Sequence, residues 1–385
     1  MKNYVLRLAL ILSVIGTAKA QDYGSIHQQM IVVDGHNDVI ITSILKGHDI
    51  SQQLMVNHTD IPRLIVGGVD VQVFAVWSDD KKWKSGAFKH ANDQIDALEK
   101  VLDQNPDQIE MAKNSDEIER ILKSGKIAAL IGIEGGNMIE ADLENLEALY
   151  KRGARYMTLT WNYDLSWATA AAQESKTKSR EGKGLSALGK EIIRRMNKLG
   201  MMVDLSHAGE QTFYDVLEIS TKPVLVSHSN SYSLTPHFRN LKDAQLEALK
   251  KNRGVVGVNF YSGFLDKNYE KRVKKLYKKQ FGKQGNYSLS ASSQYEQLTS
   301  EHKHVANVSM SLLLDHIDYL VKKIGIDHVA IGSDYDGIES TPQGLEDVSK
   351  FPNLTHALLK RGYDSSDIAK IMGLNFLRIL KENEN

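Results

Sequence analysis

Five short apolar runs in this chain each end in an acidic or imidazole side chain, and this repeated arrangement restricts the possible folds more than any other feature. The endings are Asp34-Gly35-His36-Asn37-Asp38, Ile133-Glu134-Gly135, Asp204-Leu205-Ser206-His207, Ser227-His228 and Ser333-Asp334. Longer amphipathic stretches separate the runs, and this alternation is typical of parallel strands connected by helices. The carboxyl ends of such strands lie at one face of the fold, so we expect the polar endings to meet there.

Eight apolar runs of this kind predict eight strands, the number found in a (β/α)8 TIM-like barrel of the α/β class. The predicted strands cover residues 30–36, 69–77, 127–134, 155–161, 201–207, 224–229, 254–260 and 328–334. The predicted helices cover residues 92–104, 115–124, 142–152, 186–199, 210–219, 241–252 and 308–324. We expect a single catalytic domain over residues 21–385, because α/β barrels commonly reach this length as one domain.

Two segments interrupt the alternation of strands and helices. Residues 166–184 follow the predicted fourth strand, and residues 261–305 follow the predicted seventh. Both insertions begin where a strand ends, so both are expected at the face that carries the polar endings. The second insertion is rich in lysine, and two interpretations stay open for it: a lid or substrate rim, or a solvated surface.

The charge balance and the absence of cysteine limit the chemistry. The chain has 48 basic and 48 acidic residues, which argues against nucleic acid or an anionic membrane as a partner and favours a small uncharged or zwitterionic ligand. It has no cysteine, so disulfides, thiolate metal sites and thiol nucleophiles are excluded. A transition metal would have to be held by histidine and carboxylate side chains.

The two ends of the sequence predict export without a stable membrane anchor. Lys2 and Arg7 accompany an apolar run that extends to Gly16, and the small-x-small sequence Ala18-Lys19-Ala20 follows it. This pattern predicts a secretory signal peptide over residues 1–20, and a cysteine-free exported chain suits a periplasm. The polar ending Lys381-Glu382-Asn383-Glu384-Asn385 lacks the hydrophobic tail of a lipid anchor signal.

The polar endings contain ligands for two metal ions. His36 and Asp38 are two residues apart, so both leave the first strand on one side and can hold one cation. Glu134 ends the third strand, where its carboxylate can bridge two cations, and His207 and His228 can hold the second. Two cations that share a hydroxide are a recurrent device for hydrolysis, and nitrogen and oxygen ligands suit Zn²⁺, with Mn²⁺, Co²⁺ and Fe²⁺ as alternatives.

The last strand supplies the predicted acid–base group. Asp334 is placed to accept a proton from the attacking water and to pass it to the leaving amine. Asp336 competes for that role, and we favour Asp334 because it is nearer the end of the strand.

Together these motifs resemble those of the membrane (renal-type) dipeptidases. The resemblance runs from about residue 26 to 381 and includes Gly132-Ile133-Glu134-Gly135, Ser227-His228-Ser229-Asn230, Gly332-Ser333-Asp334-Tyr335-Asp336-Gly337, Gly344-Leu345-Glu346-Asp347 and Gly373-Leu374-Asn375-Phe376. It implies a TIM-like barrel with two Zn²⁺ that cleaves dipeptides, often with a D-residue at the C-terminal position, and a homodimer. It also implies His36 and Asp38 on one zinc, Glu134 between the two, His207 and His228 on the other, and a catalytic Asp334.

The resemblance extends to the substrate pocket, with one departure. Arg239 matches an arginine that holds the substrate's C-terminal carboxylate, a task that suits its planar fork of donors. Many family members have Thr-Leu-Thr-His-Asn at the fourth strand, whereas this chain has Thr158-Leu159-Thr160-Trp161-Asn162. We expect Trp161 and Asn162 in the pocket, where Trp161 can only stack or donate one hydrogen bond.

Two other functions stay open on the sequence. Because of Trp161, the substrate could be a different small amide, such as an N-acyl amino acid or a lactam. A periplasmic binding protein built on an inactive enzyme scaffold is the second alternative, and the complete set of ligands together with Asp334 weighs against it.

Overall fold

Within residues 23–176 and 183–385, which the structure describes, nine parallel strands form one sheet. The strands of this computed structural model are β1 (Val33–Asp34), β2 (Val71–Trp77), β3 (Ile109–Met111), β4 (Ile127–Glu134), β5 (Ala154–Thr158), β6 (Met202–Asp204), β7 (Leu225–Ser229), β8 (Val255–Val258) and β9 (Val329–Ile331). Their spatial order is β1-β2-β4-β5-β6-β7-β8-β9, with β3 paired to β4 outside this path. The predicted signal peptide lies outside the described residues.

Hydrogen bonds between the first and last strands bring the ends of the sheet together. The amide of Gly35 donates to the carbonyl of Ile331 (3.0 Å), and the amide of Asp334 donates to the carbonyl of His36 (3.1 Å). The result is a nearly closed barrel of eight strands, which confirms the predicted fold class. The contacts that close the barrel also bring two predicted site residues, His36 and Asp334, side by side.

Helices connect the strands and cover the outside of the barrel. Their bounds are α1 (Tyr23–Gln29), α2 (Val39–Thr42), α3 (Ile61–Gly67), α4 (Ala87–Gln104), α5 (Ser115–Lys123), α6 (Leu143–Arg152), α7 (Ala171–Glu174), α8 (Ala187–Leu199), α9 (Glu210–Ile219), α10 (Asp243–Asn252), α11 (Ser262–Leu265), α12 (Tyr269–Phe281), α13 (Ala291–Glu296), α14 (Ser300–Ala306), α15 (Met310–Ile324), α16 (Phe351–Arg361), α17 (Ser365–Ala369) and α18 (Asn375–Asn383). Short 3₁₀ turns lie at Ile44–Lys46, Gly136–Ile139, Gly282–Gln284, Ile326–His328 and Val348–Lys350, and one π-helical turn lies at Lys370–Leu374.

Local sequence explains where many helices begin and end. The side chains of Asn114 and Ser186 accept hydrogen bonds from the amides of Glu117 and Gly189, and so satisfy free donors at the starts of α5 and α8. Gly153 and Gly200 end α6 and α8 in the left-handed conformation that glycine adopts without strain.

Each predicted element is present, whereas β3 and several helices, including α1, α3 and α16 to α18, were not predicted. All eight predicted strands are present, although several are shorter than predicted. β3 was not predicted because Ile109-Glu110-Met111 is too short to show a period of two. The second insertion contains α11 to α14, whose own small core includes Tyr269, Tyr277 and Tyr295, while its lysines are exposed.

Tight packing inside the barrel yields a first prediction, at Gly332. A side-chain carbon at this position would overlap the carbonyl oxygen of Ser227, and Gly257 of β8 meets the same oxygen. We expect Gly332→Ala to lower the free energy of unfolding by about 1–3 kcal/mol, because the strands would have to separate to admit it. Urea unfolding of both proteins measures the difference, and equal midpoints and slopes would contradict the packing described.

Candidate metal centre and active site

The five predicted metal ligands meet at one face of the barrel. They lie at or just beyond the carboxyl ends of β1, β4, β6 and β7, and all five are buried: His36, Asp38, Glu134, His207 and His228. Burial of two carboxylates beside three imidazoles is costly unless a cation or a network of donors compensates the charge. Such a cluster is therefore a functional arrangement rather than a chance one.

Glu134 lies at the centre of the cluster and directs its two oxygens to different partners. Its Oε2 atom is 3.3 Å from Nε2 of His36. Its Oε1 atom is 3.1 Å from Nε2 of His207 and 3.6 Å from Nε2 of His228. Each oxygen therefore has its own set of nitrogen atoms, as a carboxylate that bridges two cations requires.

The three imidazoles are each oriented by a hydrogen bond at Nδ1. His36 Nδ1 lies 2.7 Å from the hydroxyl of Tyr156, which itself donates to the carbonyl of Gly35 and so accepts from His36. His207 Nδ1 lies 3.1 Å from the side-chain oxygen of Asn162, an acceptor. With a proton on Nδ1, the Nε2 atom of each ring is left to face the cluster.

His228 is fixed by a longer chain of hydrogen bonds. Its Nδ1 atom lies 2.8 Å from Oγ of Ser227, and the single hydroxyl proton of Ser227 goes to Oδ2 of Asp204 at 2.6 Å. Ser227 must then accept the Nδ1 proton of His228. Asp204 also accepts from the backbone amides of Ser206 and Ser227, so this buried carboxylate is held firmly in place.

The cluster has the features expected of a site for cations. Nε2 of His36 and Oδ2 of Asp38 are buried and complete no hydrogen bond within the described residues. The Nε2 atoms of His207 and His228 are only 3.1 Å apart and both lie near Oε1 of Glu134, so the two rings converge on one point. Two sets of ligand atoms lie within 4.8 Å of one another, one in His36, Glu134 and His228 and the other in His36, Asp38 and Asp334.

The protonation states of two imidazoles agree with this interpretation. Burial lowers the pKa of His207 to about 3, and burial also brings the pKa of His228 well below its usual value. Both rings are therefore neutral, which is the form that binds metals. Burial opposes ionisation of Glu134, but the neighbouring His36, whose own pKa Tyr156 and Glu134 raise well above its usual value against the effect of burial, outweighs it and holds the pKa of the Glu134 carboxyl well below its usual range.

Asp334, rather than Asp336, faces the cluster. Asp334 shares a candidate ligand set with His36 and Asp38, and its Oδ2 atom accepts a 2.7 Å hydrogen bond from Asn259. Asp336 instead accepts from the backbone amide of His58 (2.8 Å), and its own amide donates to the His58 ring. Burial raises the pKa of Asp334 to about 6, near the range in which a group can both take up and release a proton.

Several of these residues have left-handed backbone conformations. His207, Asp334 and Asp336 have φ angles of 64°, 63° and 68°. Side chains other than glycine rarely adopt this region, and such strain concentrates at functional sites. The structure thus keeps an unfavourable backbone at the positions where the polar endings turn inward.

The predicted substrate-binding residues surround the cluster. Arg239 is buried and lines a small cavity together with His207, and its Nε atom has no hydrogen-bond partner within the described residues. Trp161 packs edge-on against Trp77 at 5.0 Å, and its ring centroid is 6.4 Å from that of His207. The oxygen of Asn162 is already engaged by His207, so the structure places this side chain behind a ligand rather than free in the pocket.

Sequence reasoning missed Tyr156, Asn259 and Gly337. Tyr156 reaches His36 only because Gly132, on the neighbouring strand, has no side chain, since a carbon there would overlap the Tyr156 ring. Gly337 likewise lies against the carboxylates of Asp38 and Asp334. A glycine inside a buried strand is a sign of close approach, so Gly132 was the available clue.

Comparison with known proteins places this geometry in a family. The model of the membrane dipeptidase family, peptidase family M19, matches residues 20–385. The chain belongs to this family. It is 34% identical over 339 residues to the dipeptidase tcpJ of Claviceps purpurea, covering 86% of this chain and 70% of that relative.

Solved structures of dipeptidases share the fold. The probable dipeptidase PvdM of Pseudomonas aeruginosa has a TM-score of 0.79 at 24% identity, over 94% of this chain and 97% of that one. The dipeptidase AC, a metallopeptidase of family M19, has a TM-score of 0.76 at 25% identity, over 92% and 98%. Membership of family M19 makes this protein a metal-dependent hydrolase of peptide bonds.

In the described part of the chain, no helix combines the length and the hydropathy that crossing a bilayer requires.

The hydrogen bonds that orient the imidazoles yield the second prediction. Tyr156→Phe removes the acceptor for Nδ1 of His36. The His36 imidazole then has no partner that fixes its orientation or keeps a proton on Nδ1. We expect metal affinity to fall by about 10- to 100-fold, as is usual when such a partner is lost. Calorimetric titration of the metal-free protein measures it, and Tyr319→Phe is the control because its hydroxyl bonds only to Asp243, on α10. Equal affinity in both variants would show that Tyr156 does not orient His36.

Proposed function

We propose that this protein is an exported zinc dipeptidase with two cations at the barrel mouth, acting on dipeptides that include those with a C-terminal D-residue. The observation that carries the proposal is the position of the Glu134 carboxylate, whose two oxygens face different imidazoles. His36, Asp38 and Glu134 would hold one cation, and Glu134, His207 and His228 the other. The unpartnered atoms of His36 and Asp38 fit this assignment.

The reaction follows from where the protein's own groups lie. Bound cations supply an electrophile for the scissile carbonyl and lower the pKa of water. Asp334 accepts the proton of the attacking water and returns it to the nitrogen of the leaving amine. Asn259 holds the carboxylate of Asp334 in position for both transfers.

Arg239 selects for a free carboxylate at the end of the substrate. Its buried guanidinium pairs with no carboxylate in the described residues, and its Nε donor is unused. Burial lowers the pKa of Arg239 to about 10, so it remains a cation at neutral pH. A carboxylate one residue beyond the scissile bond would satisfy this charge, and the C-terminal residue of a dipeptide supplies it.

Export and domain organisation complete the proposal. The signal-peptide pattern over residues 1–20 supports delivery to a periplasm, with residues 21–385 as one catalytic domain. A homodimer is expected from the family resemblance.

A second candidate, hydrolysis of another small amide, is favoured by one observation. Trp161 occupies the position of the family's substrate-binding histidine and presents an aromatic surface beside His207. A more apolar pocket would suit an N-acyl amino acid or a lactam.

The third prediction tests the reaction itself. Residues 21–385 with added Zn²⁺ should release amino acids from L-Ala-L-Ala, L-Ala-D-Ala and Gly-D-Ala, and chelation should abolish release. His207→Ala should lower kcat/KM by more than about 100-fold while circular dichroism stays unchanged, because a ligand is lost. His304→Ala, an exposed histidine, is the matched control. Unaltered turnover in His207→Ala would refute the assignment, and faster cleavage of N-acyl amino acids than of dipeptides would select the second candidate.

The fourth prediction concerns Arg239. Arg239→Lys keeps the charge but loses the planar fork, so KM for dipeptides should rise by about 10- to 100-fold. Dipeptide amides, which lack the terminal carboxylate, should be cleaved equally by both proteins. Initial-rate kinetics provide the measurement, with Arg194→Lys as an exposed control. If kcat/KM of Arg239→Lys falls as much for the dipeptide amides as for the free dipeptides, Arg239 does not bind the carboxylate.

A further inference from the structure

A carboxylate that plays no part in the proposed chemistry lies in the loop after β2. This strand ends at Trp77, which pairs in register with Glu134 at the end of β4. Asp80 follows three residues later, so its loop lies at the same face of the barrel as the metal ligands. Ser78, in the same loop, accepts a 2.8 Å hydrogen bond from Asn137, just beyond Glu134.

The charge of Asp80 has no partner within the described residues. Both carboxylate oxygens are shielded from solvent, and neither completes a hydrogen bond. The adjacent carboxylate differs, because Asp79 accepts from the backbone amide of Lys81 at 2.9 Å. The ammonium group of Lys81 lies 4.6 Å from the centre of the Tyr163 ring rather than on Asp80.

The groups around Asp80 make the negative charge of its carboxylate still less favourable. Burial raises the pKa of Asp80 to about 7, and the negative charges of Asp79 and Glu134 act in the same direction. The backbone amide of Tyr163 approaches the carboxylate and opposes this effect, but it is the weakest of the contributions. A shielded carboxylate with so weak a donor costs free energy, and a cationic ligand would recover it.

Aromatic rings border the same region. Trp161 packs on Trp77 at 5.0 Å and lies 5.9 Å from Tyr163, so these rings form a continuous aromatic wall. Aromatic faces attract ammonium groups, and the attraction adds to that of a carboxylate. A shielded carboxylate beside such a wall is suited to a primary ammonium ion.

The barrel places Asp80 opposite Arg239. Arg239 belongs to the segment after β7, whereas Asp80 belongs to the segment after β2, and these strands are four positions apart in both directions around the barrel. The segments that carry the unpaired guanidinium and the unpaired carboxylate therefore follow strands on opposite sides of the barrel, and the charge of Glu134 acts on both groups. A zwitterion with its scissile bond at the centre matches this arrangement.

We propose that Asp80 binds the α-ammonium group of the substrate and so restricts the enzyme to dipeptides with a free amino terminus. This inference rests on the proposed function and deepens it, because it names the substrate group that the second end of the pocket recognises. It disfavours N-acyl amino acids as substrates, since they carry no ammonium group to compensate Asp80.

The test compares a dipeptide with an analogue that lacks only the amino group. The substrates are L-Ala-D-Ala and N-propanoyl-D-Ala, and the variants are Asp80→Asn and the control Asp79→Asn. We expect Asp80→Asn to raise KM for L-Ala-D-Ala by about 10- to 100-fold with a small change in kcat, as loss of a charged hydrogen bond predicts. N-propanoyl-D-Ala should be cleaved equally by the wild type and by Asp80→Asn, and Asp79→Asn should behave as the wild type.

The outcomes separate this inference from the proposed function. If the wild type cleaves L-Ala-D-Ala but Asp80→Asn keeps its preference over N-propanoyl-D-Ala, the role of Asp80 is refuted and the dipeptidase assignment stands. If the wild type cleaves neither substrate with its metals bound, both proposals fail. Bound metal and thermal unfolding are measured for each variant, and Asp80→Ser replaces Asp80→Asn if the latter does not fold.

Discussion

The negative charge of a buried carboxylate must be compensated by nearby donors or cations, and the groups at the mouth of the barrel are arranged around the carboxylate of Glu134. Its Oε2 atom lies 3.3 Å from Nε2 of His36, whereas its Oε1 atom lies 3.1 Å from Nε2 of His207. Since His207 and His228 are neutral, they supply lone pairs rather than positive charge. The unpartnered atoms of His36 and Asp38 lie in the same cluster, and together with these lone pairs they make it a site for cations.

The orientation of these ligands depends on partners contributed by neighbouring strands. Ser227 of β7 accepts a hydrogen bond from His228 and donates one to Asp204 of β6, and Tyr156 of β5 reaches His36 past Gly132 of β4. The left-handed backbone at His207 and Asp334 is maintained by the same strand ends. The barrel thus fixes both the positions of the ligand atoms and the lone pairs that they present.

The sequence was sufficient to predict the parts of this arrangement that follow from chain order. Polar residues at the ends of apolar runs predicted the barrel, the convergence of His36, Asp38, Glu134, His207 and His228, and the position of Asp334 beside them. Contacts set by register between strands could not be predicted, because no spacing along the chain reveals that Tyr156 meets His36 or that Asn162 bonds to His207. β3 was missed for a different reason, since three residues carry too little periodicity.

Anomalous diffraction from crystals of the zinc-loaded protein, recorded on both sides of the zinc absorption edge, would locate the cations. We expect two zinc peaks about 3.5–4 Å apart. Glu134 should lie between them, with His36 and Asp38 on one peak and His207 and His228 on the other. A single peak at full zinc loading, or two peaks that do not share Glu134, would refute the proposed two-cation site.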